Sequence, residues 1–220
     1  MSFLDHIENC NGHNIAEFVP LNISGQRVGW IKRILLPRFA EFPEIVRCGD
    51  DDVVVNTVLE SPLVLTEAMS QIGAALTESG YTGAWCDERY AVGRRFGENL
   101  FELDRAVVPA FGVRAYGLHL TGFVRNGNDI SIWVPRRTLD RPTYPGKLDN
   151  TVAGGQPAHL SLSENLEKEC AEEAGFPAEL TRKARSVGTI GYRLETEYGL
   201  RDDLIFSFDL ELPSDFKPKN

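Results

Sequence analysis

Hydrophobic residues follow two different periods along this chain, and the change between them falls near Val113. Before that point, Leu65, Ala68, Ile72, Ala75 and Leu76 recur at three- and four-residue intervals. They predict a helix opened by Ser61-Pro62, running to about Ser79 and stopped by Gly80. Ahead of it, NISGQRVGWIKRI (22–34) predicts an extended hairpin turning at Gly25, Asp50-Asp51-Asp52 a turn, and VVVNTVL (53–59) a strand. After Val113 the period shortens to two. Residues 114–125 and 130–135 predict strands joined at Asn126-Gly127-Asn128, because Asn-Gly tolerates the positive φ of a tight hairpin. Residues 186–197 and 204–212 alternate in the same way and are joined by a loop, 198–203. We therefore expect two domains, a small α+β domain at 1–112 and a second at 113–220.

Between those strand pairs lies GGQPAHLSLSENLEKECAEEAGF (154–176). Leu162, Leu166, Cys170 and Ala174 repeat every four residues and predict one packed helical stripe, while Glu169, Glu172 and Glu173 fall within a separate narrow arc. Ser161 followed by Glu164 predicts a capping box, and Gly175 a stop. Glu172 and Glu173 then sit in the last turn, where the helix dipole opposes anions. Glu169 and Glu173 also repel each other at i,i+4, at a cost of about 0.2–0.5 kcal/mol. Lys168 is the only lysine or arginine in the segment. A divalent cation relieves both penalties, and Gly154-Gly155 suits a tight loop with close approach of a phosphate-bearing ligand. A merely solvated acidic face is the alternative.

The composition, 42% hydrophobic and 25% charged, is that of an ordinary globular protein. A net charge of −9 argues against nonspecific nucleic-acid binding, so substrate phosphates must be met locally. Cys10, Cys48, Cys86 and Cys170 are too scattered for a zinc site or disulfide framework, which suits a reducing cytoplasm. The N-terminus resembles no leader, and no run of 18 apolar residues predicts a membrane span. Arg136, Arg137 and Arg141 form a basic cluster at a strand end, where pairing with surface acids is the plain reading. Gly93-Arg94-Arg95 is either a phosphate-holding turn or an exposed loop. Trp133, Tyr144, Tyr192 and Phe206 could stack a ring, although aromatics in strands are more often core.

The segment resembles the Nudix signature, G-x(5)-E-x(7)-R-E-U-x-E-E-x-G-U, where U is apolar. Gly154, Glu169, Cys170, Glu172, Glu173, Gly175 and Phe176 match it, while Leu160 replaces the first glutamate and Lys168 the arginine. With LDNTVAGGQ (148–156) and Pro145-Gly146 beside it, the chain is similar throughout to Nudix proteins of the thiamine-pyrophosphokinase-related subfamily, with an N-terminal accessory domain. The resemblance implies an α/β/α sandwich around a mixed sheet, whose usual C-terminal helix is missing here, leaving one sheet face uncovered. It also implies a hydrolase acting on phosphoric anhydrides, with thiamine diphosphate or its oxidised analogues cleaved to the monophosphate.

By the same resemblance, Glu169, Glu172 and Glu173 hold Mg²⁺, with Mn²⁺ as a substitute. Glu172 and Glu173 with Lys168 carry the catalysis, and Gly154, Gly155, Arg136 and Arg137 meet the substrate. The expected partner is a small diphosphate, with neither nucleic acid nor membrane, and a homodimer fits the family's habits. ADP-ribose or another nucleoside-diphosphate-linked substrate is one alternative. A noncatalytic ligand-binding module, favoured by Leu160, is another.

Overall fold

The protein is described from a computed structural model covering residues 2–56, 61–140, 144–197 and 199–219. Its chain forms an α+β fold that divides into two compact units, Met1–Ala115 with Gly191–Asp203, and Tyr116–Ile190 with Leu204–Asn220.

In the first unit the order is α1 (Phe3–Asn9), β1 (Phe18–Ile23), β2 (Gln26–Lys32), α2 (Leu36–Phe39), β3 (Val46–Cys48), β4 (Val53–Val55), α3 (Pro62–Glu78), β5 (Arg89–Val92), β6 (Phe101–Asp104) and α4 (Val108–Phe111). The predicted hairpin is β1–β2, turning through Ser24 and Gly25, both at positive φ. It extends a four-stranded sheet ordered β2-β1-β4-β3, while β5 and β6 pair separately. Of the strand expected at 53–59, only β4 falls within the described residues, because 57–60 lie outside them. Helix α3 starts as its sequence predicts: Ser61 Oγ accepts the Val64 N–H and Pro62 takes the first helical position. Its buried face carries Leu65, Met69, Ile72 and Leu76, each contributing about 1.5–3 kcal/mol on leaving water. Thr66 on that face accepts the Glu102 N–H at 2.9 Å, which ties α3 to β6.

Two glycines set how closely α4 can approach β2. Gly112 ends α4 at φ 54°, and a Cβ there would lie 2.1 Å from the Trp30 carbonyl oxygen. A Cβ on Gly29 would lie 2.4 Å from the Phe111 carbonyl. Neither obstacle is a flexible side-chain end, so neither can yield cheaply.

The remaining elements are β7 (Arg114–Asn126), β8 (Asp129–Ile132), β9 (Val152–Gly155), α5 (Leu162–Ala174), α6 (Ala178–Thr181), β10 (Arg185–Thr196) and β11 (Gly199–Glu211); they make the second unit except for residues 114–115 of β7, 191–196 of β10 and 199–203 of β11, which belong to the first. The strand order is β10-β11-β7-β8, and β9 also pairs with β7. Strands β8 and β9 share one edge of β7: residues 123–126 take β8 and residues 117–120 take β9, both antiparallel. The Asn-Gly turn forms as predicted, with Gly127 at φ 62°. Alternation along β7 sends Leu118, Leu120 and Val124 into a core with Val152, Leu210, Leu212, Leu166, Cys170, Ala174, Phe176 and Leu180. Helix α5 thus covers one sheet face.

Three sequence expectations are corrected here. Gly154-Gly155 is not a loop but the end of strand β9, because its backbone is hydrogen-bonded into the ladder with β7. Residues 199–203, expected as loop, are the start of β11, which leaves only the turn around Glu197; Tyr198 itself lies outside the described residues. Trp133–Pro135 does not continue β8, although the Trp133 N–H still donates to the Gly122 carbonyl at 2.9 Å. Among the described residues no helix follows β11; Phe216 instead packs edge-on against Phe176, with ring centroids 5.4 Å apart.

Replacing Gly112 by alanine combines a left-handed φ with a backbone collision. We expect a loss of at least about 2 kcal/mol in urea unfolding. An unchanged midpoint would show that α4 can retreat from β2 at no cost.

Candidate active site

Helix α5 is fixed at both ends by the devices its sequence predicts. Ser161 Oγ accepts the Glu164 N–H, Glu164 Oε2 accepts the Ser161 N–H at 2.9 Å, and Gly175 closes the helix at φ 64°. The Ser161 hydroxyl, which also donates to Glu164 Oε2 at 2.6 Å, and then the Ser161 N–H hold the Glu164 carboxyl below its usual pKa. The helix packs on β9, and its glutamates have different fates.

Glu169 is buried, 9% exposed, whereas Glu172 and Glu173 are exposed. The sequence places all three on one arc away from the packed stripe; the structure instead turns Glu169 inward over the backbone of β9. Gly154 makes this approach possible, since a Cβ there would lie 2.4 Å from Glu169 Cδ and 2.7 Å from its Oε2. The function of Gly154 is therefore absence of a side chain under a carboxylate, not the freedom to turn. Glu173 reaches back across the same strand, and its Oε2 accepts the Ala153 N–H at 2.8 Å.

Lys168 supplies the local countercharge. Its Nζ donates to Glu169 Oε1 at 2.9 Å and to Glu172 Oε2 at 3.0 Å. The bond to Glu169, with help from Glu172, raises the lysine pKa against a smaller desolvation penalty. Cys170, between the glutamates, faces the core; burial pushes its thiol up to about 11, which makes it an inert packing residue.

Where the signature has a glutamate, Leu160 offers no side-chain oxygen, and its carbonyl accepts from Gln156 Nε2 at 2.7 Å. Asn165, fully buried on α5, donates through Nδ2 to the Gly155 carbonyl at 2.7 Å and to Gln156 Oε1 at 3.3 Å. Together Gln156 and Asn165 fasten the segment before α5 to the helix. The sequence reasoning missed both; the available signal was a polar Asn165 beside Leu166 on the packed stripe. His119 on β7 was also missed. It lies 3.0 Å from Asn150 Nδ2, and burial lowers its pKa.

The basic cluster is largely committed. Arg137 pairs with Asp149 at 2.6 Å, and Arg136 Nη1 donates to the Gly146 carbonyl at 2.8 Å, on a stretch where Arg136 bridges Leu148. Arg141 lies outside the described residues. Of the aromatics, Phe206 stacks on Tyr116 at 6.4 Å, Tyr192 donates to Asp203 at 2.6 Å, and Trp133 and Tyr144 are exposed.

Among the described residues no three His, Cys, Asp or Glu side chains converge tightly enough to hold a metal ion unaided. The donor chemistry nevertheless fits a hard divalent cation: three carboxylates on adjacent turns, two of them already bridged by an ammonium.

A glutamate helix laid across a sheet strand over a bare glycine is the arrangement that the resemblance in the sequence leads one to look for, and comparison with known proteins bears on it. The chain belongs to the family described as Domain of unknown function (DUF4743), whose profile matches residues 2–115. It is also 35% identical to Nudix hydrolase 20, chloroplastic, of Arabidopsis thaliana over 99% of its own length and 62% of that protein's. Nudix hydrolase 24, chloroplastic, of the same plant is again 35% identical, over 99% of this chain and 61% of that protein. The chain therefore spans about three-fifths of the length of these relatives. They support the Nudix hydrolase family, and they do not single out the thiamine-pyrophosphokinase-related subfamily. Among solved structures, the MutT protein of Methanosarcina mazei Go1 overlaps 48% of this chain and 70% of its own, at 19% identity and a TM-score of 0.38. The expectation of a cytoplasmic protein is corrected, since both plant relatives are named as chloroplastic. Among the described residues no helix is long and apolar enough to cross a membrane.

Replacing Gly154 by alanine should drive Glu169 off β9 and destabilise the protein by about 1–3 kcal/mol in urea unfolding. A neutral result would mean that the buried carboxylate does not depend on the bare Cα.

Proposed function

We propose that this chain is a divalent-metal-dependent diphosphatase whose substrate is thiamine diphosphate or an oxidised analogue, cleaved to the monophosphate. The observation that carries the reading is the buried Glu169 carboxylate, held over Gly154 with Glu173 anchored beside it on Ala153. A carboxylate taken out of water needs a cation close by, and Lys168 serves two of the three.

Mg²⁺, or Mn²⁺ in its place, would be held by Glu169, Glu172 and Glu173. When bound, such an ion neutralises diphosphate oxygens and acidifies a water for attack on phosphorus. The protein's own part is positional. Gly154 lets Glu169 lie flat on β9, the Ala153 N–H fixes the direction of Glu173, and Lys168 holds Glu169 and Glu172 ready while the cation is away. Glu172, exposed on the last turn of α5, is our candidate for taking the proton of the water. Gly155 keeps the edge of β9 bare for the diphosphate, and Arg136 is the better placed of the two arginines to meet it, since Arg137 is committed to Asp149. We further propose that 113–220 carries this chemistry and 1–112 an accessory role.

A noncatalytic binding module is the second reading, favoured by one observation: the Lys168 ammonium already occupies the place between Glu169 and Glu172. Incubation with Mg²⁺ and thiamine diphosphate, its oxidised analogues or ADP-ribose separates the two. We expect monophosphate release from the thiamine compounds, reduced at least about 100-fold by Glu173→Gln and abolished by metal removal. Release from ADP-ribose alone would move the substrate to the nucleoside class. A folded protein inert toward every substrate would favour the binding module.

A further inference from the structure

The first unit contains a cavity that the diphosphatase reading does not use. Its walls include Arg27, Arg94, Arg114 and Arg193, with Trp30 and Asp202, and its volume is about 100 Å³. Four guanidiniums around one small opening are unexpected in a protein of net charge −9, and the ion pairs there do not balance them.

Asp202 is buried and serves two of the four. Arg114 donates to it through Nε at 3.2 Å and Nη2 at 3.1 Å, and Arg193 donates through Nε at 3.0 Å. One carboxylate therefore answers two positive charges. Arg114 Nη1 and both Nη groups of Arg193 take no part in those bonds, although each guanidinium carries five N–H donors. Arg94 is paired with Glu98 and also bonds Gln26. Arg27 lies over the Trp30 ring, 4.4 Å from its centroid, and among the described residues no carboxylate pairs with it. Counting Asp202 and Glu98 against the four arginines leaves an excess of two positive charges (4 − 2).

Ordinary structural ion pairing would produce matched pairs, and it does so elsewhere in this unit, at Arg105 with Glu88 and Lys32 with Glu195. Here the mismatch is concentrated where there is also room. The backbone beside the opening is drawn in close, since Gly112 and Gly29 allow α4 and β2 to touch main chain to main chain. The space equals several waters by volume, which suits one tetrahedral oxyanion and not a whole nucleotide. Guanidinium forks match phosphate oxygens in geometry as well as charge, and the indole under Arg27 holds that side chain in place through a cation–π contact.

We propose that this cavity binds the phosphate group of a phosphorylated small molecule, using Arg27, Arg114 and Arg193, as a second phosphate site built from the first unit alone. The remainder of the ligand stays outside the opening. This goes beyond the diphosphatase reading and does not require it.

The test uses the full chain in metal-free buffer, so that the glutamate helix cannot recruit phosphate through a cation. Inorganic phosphate and pyrophosphate are titrated by calorimetry and by tryptophan fluorescence, which Trp30 should report. Saturable binding is expected, weakened about tenfold or more in Arg27→Ala and in Arg193→Ala, and unchanged in Glu173→Gln. Circular dichroism checks that each variant is folded. If Arg193→Ala fails to fold because Asp202 loses a partner, the exposed Arg27→Ala decides alone. Absence of saturable binding by the folded wild-type chain overturns the proposal. So does binding that survives Arg27→Ala unchanged, or binding lost in Glu173→Gln.

Discussion

Glu169 is a carboxylate buried against the backbone of a strand, and the local structure of the second unit is arranged to make that tolerable. Removing an ionised carboxylate from water costs several kcal/mol unless charge and hydrogen bonds replace the solvent. Gly154 gives it room, Lys168 gives it charge, and the capping box at Ser161 and Glu164 fixes the helix that delivers it. Gln156 and Asn165 fasten the intervening segment where Leu160 has no side-chain oxygen to offer. Lys168 bridges Glu169 and Glu172, and the three glutamates lie in the last turns of a helix whose dipole favours cations. On the proposed reading a divalent ion would be held there, and this would separate the site from an acidic face that simply meets solvent.

The first unit gathers charge of the opposite sign by a similar means. Gly29 and Gly112 bring backbone into contact with backbone, and beside that contact four arginines share too few carboxylates. In both places small residues remove bulk so that like charges can be gathered. Gathering like charges costs stability, which makes each cluster a better candidate for ligand binding than a scattered surface charge.

Much of this was legible from the chain alone, because the strongest signals are local. The caps of α3 and α5, the Asn-Gly turn after β7 and the alternation of β7 depend on a few neighbouring residues, and each formed as its sequence predicts. Gly154-Gly155 misled for a physical reason: glycine has poor strand propensity, but β9 is held by its ladder to β7 and by the need to pass beneath Glu169. The burial of Glu169 was equally hidden, since helical periodicity gives an angle around the helix and not what lies opposite it. Arg27 and Arg114 are distant in sequence from Arg193 and Asp202, so nothing local announced that they share one cavity; Gly93-Arg94-Arg95 was the only hint of it.

The central claim is that Glu169 and Glu173 form a cation site across β9. It is tested most directly by soaking crystals of the protein in Mn²⁺ and recording anomalous diffraction. The account requires an anomalous peak within coordination distance of Glu169 and Glu173, lost in Glu173→Gln crystals. Mn²⁺ absent from α5, with the Lys168 bridge intact in an otherwise ordered site, would contradict it.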